Sequence, residues 1–155
     1  MLFRSRGRFD YAGDRYGLTA EHLMVGAGFF PAVGYTRRDN LRRETGTARF
    51  SPRLKTSRLI RKLTWQGTYT YDTDAAMTRV ENRATEGLFG MEFHSADTAN
   101  LQYVDEYELL PAKFRIAPGV TVPAGGYRNR LTTASYTLAN QHVVAGRLGV
   151  TTGQF

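Results

Sequence analysis

The feature that most restricts the fold is an alternation over residues 59–71. Leu59, Leu63, Trp65, Gly67, Tyr69 and Tyr71 occupy every second position, broken by Arg61. Lys62, Thr64, Gln66, Thr68 and Thr70 fill the positions between, with Ile60 as the apolar exception. Successive side chains on a strand point to opposite faces, so this run makes one aromatic-aliphatic face and one hydroxyl-amide-ammonium face. A helix would mix the two sets around its circumference. The run is therefore a long strand, dry on one side and wet on the other.

The rest of the chain follows the same rhythm. Strands are expected over residues 3–11, Tyr16–Val25, 33–37, 42–50, 80–94, 99–109, 129–138 and 142–151, separated by turn residues. Gly26 and Gly28, with Pro31, interrupt the chain after the second strand, because glycine reaches unusual φ and proline lacks a donor. Asp72-Thr73-Asp74 and Ser95-Ala96-Asp97 have the composition of hairpin tips. Residues 110–127 contain Pro111, Pro118 and Pro123, which no central strand accepts. Phe114, Ile116, Val120 and Val122 predict that this long loop packs against the rest as a lid or plug.

The fold class is accordingly all-β, an antiparallel up-and-down meander of long strands. At 155 residues the chain has room for one domain, or about eight strands of a barrel. It has no cysteine, which excludes a disulfide scaffold and a thiolate metal site, and no apolar run of the roughly 20 residues that a membrane helix needs. The residues after Met1 carry charges without an apolar stretch, so no secretory signal is read there. The net charge of +7 raises nucleic acid as a partner. The basic residues are scattered along the strands, however, with clusters only at Arg37-Arg38 and Arg42-Arg43, and no nucleic-acid partner is expected.

Soluble sandwiches and membrane barrels share this alternation. Strand length favours the barrel, since soluble strands average about 5–6 residues and outer-membrane strands need about 9–11. Trp65, Tyr69, Tyr71, Phe89, Phe93, Tyr103 and Tyr107 are expected to form an aromatic girdle or a stacking surface. Arg43, Arg49, Lys62, Gln66, Glu86, Glu92, Glu106, Glu108 and Arg147 are expected to face a lumen, the acids and cations forming a cross-strand ion-pair lattice. Arg61 and Asp105 are out of place on the dry face, costly at mid-bilayer and tolerable near an interface.

Three segments carry a resemblance: the run from Gly34 through Asn40, the run from Glu44 through Arg53, and above all Tyr107 through Tyr127 with its Pro/Gly framework. They resemble an uncharacterised bacterial family (domain of unknown function 5916) with an N-terminal carbohydrate-binding module of the family-nine type and a C-terminal outer-membrane-like β-barrel region. The resemblance lies within the barrel region and covers nearly the whole chain. It implies bacterial outer-membrane placement, lipid as a partner and a link to carbohydrate binding or uptake. It also implies that the chain is a fragment of a larger barrel, with the signal on a missing N-terminal part. It supplies no catalytic residue, although the parent protein could be a carbohydrate-active hydrolase.

The chemistry read from the residues is spare. His22, His94 and His142 are expected on separate strands without metal-ligand spacing, and no nucleophile elbow or dinucleotide loop occurs. The glutamates could hold a glycosidase-like carboxylate pair, but an ion-pair lattice accounts for them more simply. No catalytic residue, metal or cofactor is expected. The alternative to a barrel segment is a soluble β-sandwich polysaccharide-binding module or a hydrolase-associated domain, with Trp65 and the tyrosines stacking on sugars.

Overall fold

A computed structural model describes residues 3–29 and 39–154. The strand expected at 33–37, the Arg37-Arg38 cluster and Pro31 lie outside the described residues. There is no helix among those described. The chain forms β1 (Arg4–Ala12), β2 (Tyr16–Val25), β3 (Leu41–Phe50), β4 (Ile60–Thr73), β5 (Val80–Phe93), β6 (Thr98–Leu110), β7 (Phe114–Ala117), β8 (Val120–Val122), β9 (Gly125–Leu138) and β10 (Gly146–Gln154). Eight of these make one antiparallel sheet in the order β1-β2-β3-β4-β5-β6-β9-β10, and β7 and β8 pair only with each other. The sheet is open: β1 and β10 each have a neighbour on one side only and are exposed throughout.

The register accounts for both exceptions in the organising strand. Ile60 pairs with Phe93 and Lys62 with Glu92, so Arg61 is the extra residue of a β-bulge. The bulge shifts the parity by one, which sets Ile60 opposite Phe93 and lets the Arg61 guanidinium pair with Glu92. Asp105, the other exception, lies opposite Arg130 and accepts from Arg128 Nε at 2.7 Å, so its charge is answered on its own face.

Burial is distributed opposite to that of a soluble sheet. Among the described residues the buried apolar side chains are Val25 and Leu41 alone, while Ser51, Asp72, Thr73, Asp74, Glu81 and Asp97 are buried polar ones. In β4 the polar positions Thr64, Gln66, Thr68 and Thr70 are half-buried, whereas Trp65, Gly67 and Tyr69 are exposed. β9 alternates in the same sense. The glycines agree. A Cβ added to Gly46 or Gly87 on the aromatic face would meet nothing within 4 Å, but one added to Gly17 on the polar face would lie 3.1 Å from Arg49. On β2, β3, β4 and β9 the polar face is the more enclosed one and the aromatic face the more open one, as in a sheet bent toward its polar side, whereas on β5 and β6 the polar-face Glu86, Gln102 and Glu108 are exposed too.

Two expectations fail at the connections. Residues 110–127 do not pack as a lid: they hold the β7–β8 hairpin, turned at Gly119 with φ +84°, and Phe114 and Ile116 are 60% and 63% exposed. A two-stranded ribbon of such short strands has no second layer to cover its apolar residues. The last strand starts at Gly146, not 142, because residues 139–145 are held in a turn by Asp97.

Candidate functional site

Direct cross-strand partners share a face, so the register sorts every side chain. All nine polar residues singled out from the sequence fall on one face. Lys62, Glu92, Thr98, Thr137 and Arg147 form one row across the sheet. Arg49 and Gln66 are partners in a second row. Glu86 lies between Thr68 and Val104, and Glu106 between Ala84 and Asn129. Arg43 and Glu108 belong to a single row through Asp72 and Asn82.

The expected lattice between these acids and cations does not form among the described residues: Glu92, the direct partner of Lys62, is taken by Arg61, and the other pairs are kept apart by the row spacing. Strands lie about 4.8 Å apart, so Arg43 on β3 and Glu108 on β6 are roughly 14 Å from each other, as are Glu92 on β5 and Arg147 on β10. Arg43 instead makes a two-point pair with Asp72 on the adjacent strand, at 2.7 and 2.6 Å. Arg49 donates to the Gly13 carbonyl at 2.6 Å and closes the β1–β2 turn. Arg147 reaches the Ser135 hydroxyl at 3.3 Å. Glu86, Glu106 and Glu108 make no ion pair among the described residues. Charge on this face is therefore segregated. Arg6, Arg8 and Arg43, partly answered by Asp10, Glu21 and Asp72, lie on β1–β4, and the uncompensated glutamates lie on β5–β6. The Arg6–Glu21 pair, bonded at 2.9 and 3.2 Å, was absent from the sequence reading. Its signal was the alternation Arg4, Arg6, Arg8, Asp10 along the first strand.

The aromatic face is as consistent. Trp65, Tyr69, Tyr71, Phe89, Phe93, Tyr103 and Tyr107 all fall on it. So does every strongly exposed large apolar side chain carried by the eight strands: Phe9, Tyr11, Tyr16, Leu18, Trp65, Tyr69, Leu101, Tyr103, Tyr136, Leu148 and Val150. Tyr16, Phe50, Trp65 and Phe89 form one continuous row, with ring centroids 5.2, 5.7 and 5.3 Å apart. Tyr69 stacks on Tyr71 at 6.2 Å, and Phe93 meets Tyr136 at 6.0 Å. The row thus joins only Trp65 and Phe89 of the seven predicted rings, adding Tyr16 and Phe50. Those two stand at strand ends, where only the register reveals their neighbours.

Beside this row, Ala48, Gly67 and Gly87 are direct partners and form the floor of a trough of about 830 Å³. Past Tyr69, toward the end that carries connections 26–40, 74–79 and 111–124, the same face turns charged. There His22 meets Glu44 at 2.7 Å, Arg42 meets Glu44 at 3.0 Å, and Asp105 sits with Arg128. The aromatic face is thus an apolar belt bordered at one end by ion pairs and at the other by connections 13–15, 51–59, 94–97 and 139–145.

The histidines are not on three strands. His22 is in β2, whereas His94 and His142 belong to turns. His142 Nε2 lies 2.8 Å from Asp97 Oδ1, and that carboxylate also accepts from the Ala139 N–H at 2.8 Å and the Ser95 hydroxyl at 2.7 Å. The Ala139 N–H foremost, then the Ser95 hydroxyl, hold the Asp97 carboxyl at about 2, and the result is a lock between the β5–β6 and β9–β10 turns. No group of three or more potential metal ligands occurs among the described residues. No protein-family model matches the chain, and no curated protein and no solved structure shows significant similarity to it.

Proposed function

We propose that this chain is a segment of a bacterial outer-membrane β-barrel, its polar face lining a lumen and its Trp65 face in contact with lipid. The observation that carries the reading is the inverted burial. A soluble sheet covers its aromatic face with a second layer, and here that face is bare while the hydroxyls, amides and charges are the enclosed side. Strands of 13 to 14 residues at the centre of the sheet supply the necessary length. The two longest connections, 26–40 and 111–124, lie at one end, as the longer extracellular loops of such barrels do. In this reading the carbohydrate link implied by the family resemblance belongs to solute passage along the polar face, and no residue is assigned a catalytic role.

A second reading, a polysaccharide-binding module, rests on the four-ring row Tyr16–Phe50–Trp65–Phe89 as a stacking platform. It is weaker because, the tyrosine hydroxyls and the Arg15 guanidinium apart, the side chains around those rings on the aromatic face offer little to hydrogen-bond sugar hydroxyls. Purification separates the two. A barrel segment requires detergent or bilayer to stay dispersed and floats with vesicles in a density gradient. A chain that is a soluble monomer without detergent and is retained on a glycan column would establish the second reading and remove the first.

A further inference from the structure

The trough on the aromatic face has a rim that the membrane reading leaves unused. Its floor, Ala48–Gly67–Gly87, lacks side chains beyond Cβ, and a Cβ on Gly67 would meet nothing nearer than the Glu86 carbonyl at 4.0 Å. One wall is the row Phe50–Trp65–Phe89. At the corner of that wall stands Arg15, in the turn between β1 and β2. Its guanidinium carbon lies 5.1 Å from the Phe50 ring centre and 5.5 Å from that of Tyr16. The two rings hold the guanidinium by cation–π attraction, and it meets no carboxylate among the described residues. The neighbouring connection 51–59 adds Lys55 and Arg58, exposed and likewise without an acidic partner among the described residues, and Arg53, which is paired with Asp14 at 2.7 Å.

An apolar trough that ends at a free, pre-positioned guanidinium fits an amphiphile with an apolar body and an anionic head. We propose that it seats an anionic phospholipid of the bilayer, one acyl chain lying over Gly67 against Trp65 and the phosphate engaged by Arg15. The guanidinium suits the task because its planar fork of N–H donors matches phosphate oxygens and is weakly hydrated. Charge and position agree, since Arg15 lies at the end of the apolar belt away from the two longest connections, where phospholipid headgroups of the periplasmic leaflet would lie. The proposal rests on the membrane reading above, and its test keeps the two apart.

Trp65 is the only tryptophan in the chain and forms the trough wall, so it reports occupancy directly. The whole chain is refolded in mixed micelles, and Trp65 fluorescence is titrated with acyl-brominated phosphatidylglycerol or phosphatidylcholine. Half-quenching is expected at an about fivefold lower mole fraction of the anionic lipid, the effect of one arginine near a phosphate. Arg15→Gln removes that preference while leaving quenching in place, and Gly67→Leu, which fills the floor, weakens quenching by both lipids. Arg115→Gln, on the distant β7–β8 hairpin, retains the preference. Equal quenching by both lipids, a preference that survives Arg15→Gln, or one lost equally in Arg115→Gln overturns the lipid seat and leaves the membrane reading standing. Quenching by neither lipid overturns both.

Discussion

Replacing Leu101 by arginine separates hydrocarbon from water as the medium around the aromatic face. Leu101 is 47% exposed on β6, between Phe89 and Ala134 in the register, well inside the apolar belt. At a water-facing position, exchange of a half-exposed leucine for arginine changes stability by no more than about 0.5 kcal/mol. At the lipid face of a barrel the same exchange costs about 2–4 kcal/mol near mid-bilayer, a roughly 30- to 700-fold fall in the folded-to-unfolded ratio. The neighbouring Gln102, exposed on the polar face between Leu88 and Thr133, provides the control: Gln102→Arg places the same charge at the same height on the opposite face. Denaturant titrations in phospholipid vesicles, followed by Trp65 fluorescence, measure both variants. The expected outcome is a large loss for Leu101→Arg and a small change for Gln102→Arg. Equal effects of the two, or a Leu101→Arg cost within about 0.5 kcal/mol of zero, would refute the assignment of lipid to that face.

Other consequences are equally direct. Asp97, held at about 2 against an ordinary 3.8, lends stability that is full above the ordinary value and is lost as pH falls through it toward 2. Asp97→Asn should flatten that acid slope and speed amide exchange in residues 139–145, read by hydrogen-exchange mass spectrometry. Asp105→Ala should destabilise the sheet more than the double change with Arg128→Met, because the single change leaves both Arg128 and Arg130 unanswered on the aromatic face and the double change only Arg130; a double-mutant cycle in denaturant gives the coupling. Removing residues 113–123 and rejoining the ends should leave the melting temperature in detergent unchanged, since the exposed β7–β8 hairpin covers nothing. A clear loss of stability on that deletion would restore the packed lid.

Much of the sheet was legible because a strand's face is a property of parity, and parity is written in the residue order. The split of Trp65, Phe89 and Tyr103 from Gln66, Glu92 and Glu106 needed no partner to be seen. The two misfits in the alternation became intelligible only through neighbours. Arg61 is a bulge residue because β5 offers Glu92 alone against Arg61 and Lys62, and Asp105 is tolerated because β9 brings Arg128 and Arg130 to it. The packed loop and the ion-pair lattice failed for a related reason. Apolar content in residues 110–127 promises burial only if another layer lies within reach, and opposite charges pair only where the register or the same strand brings them side by side and no nearer partner takes the charge first, as Arg61 takes Glu92 from Lys62.

The residue order by itself determined that the chain is all-β, that its strands are long, and which side chains share a face, since all three follow from a period of two. Only the tertiary structure decided which face is enclosed, which rings touch and which acids find cations. Those outcomes depend on the direction in which the sheet bends and on the strand that lies next door, and a local alternation contains neither.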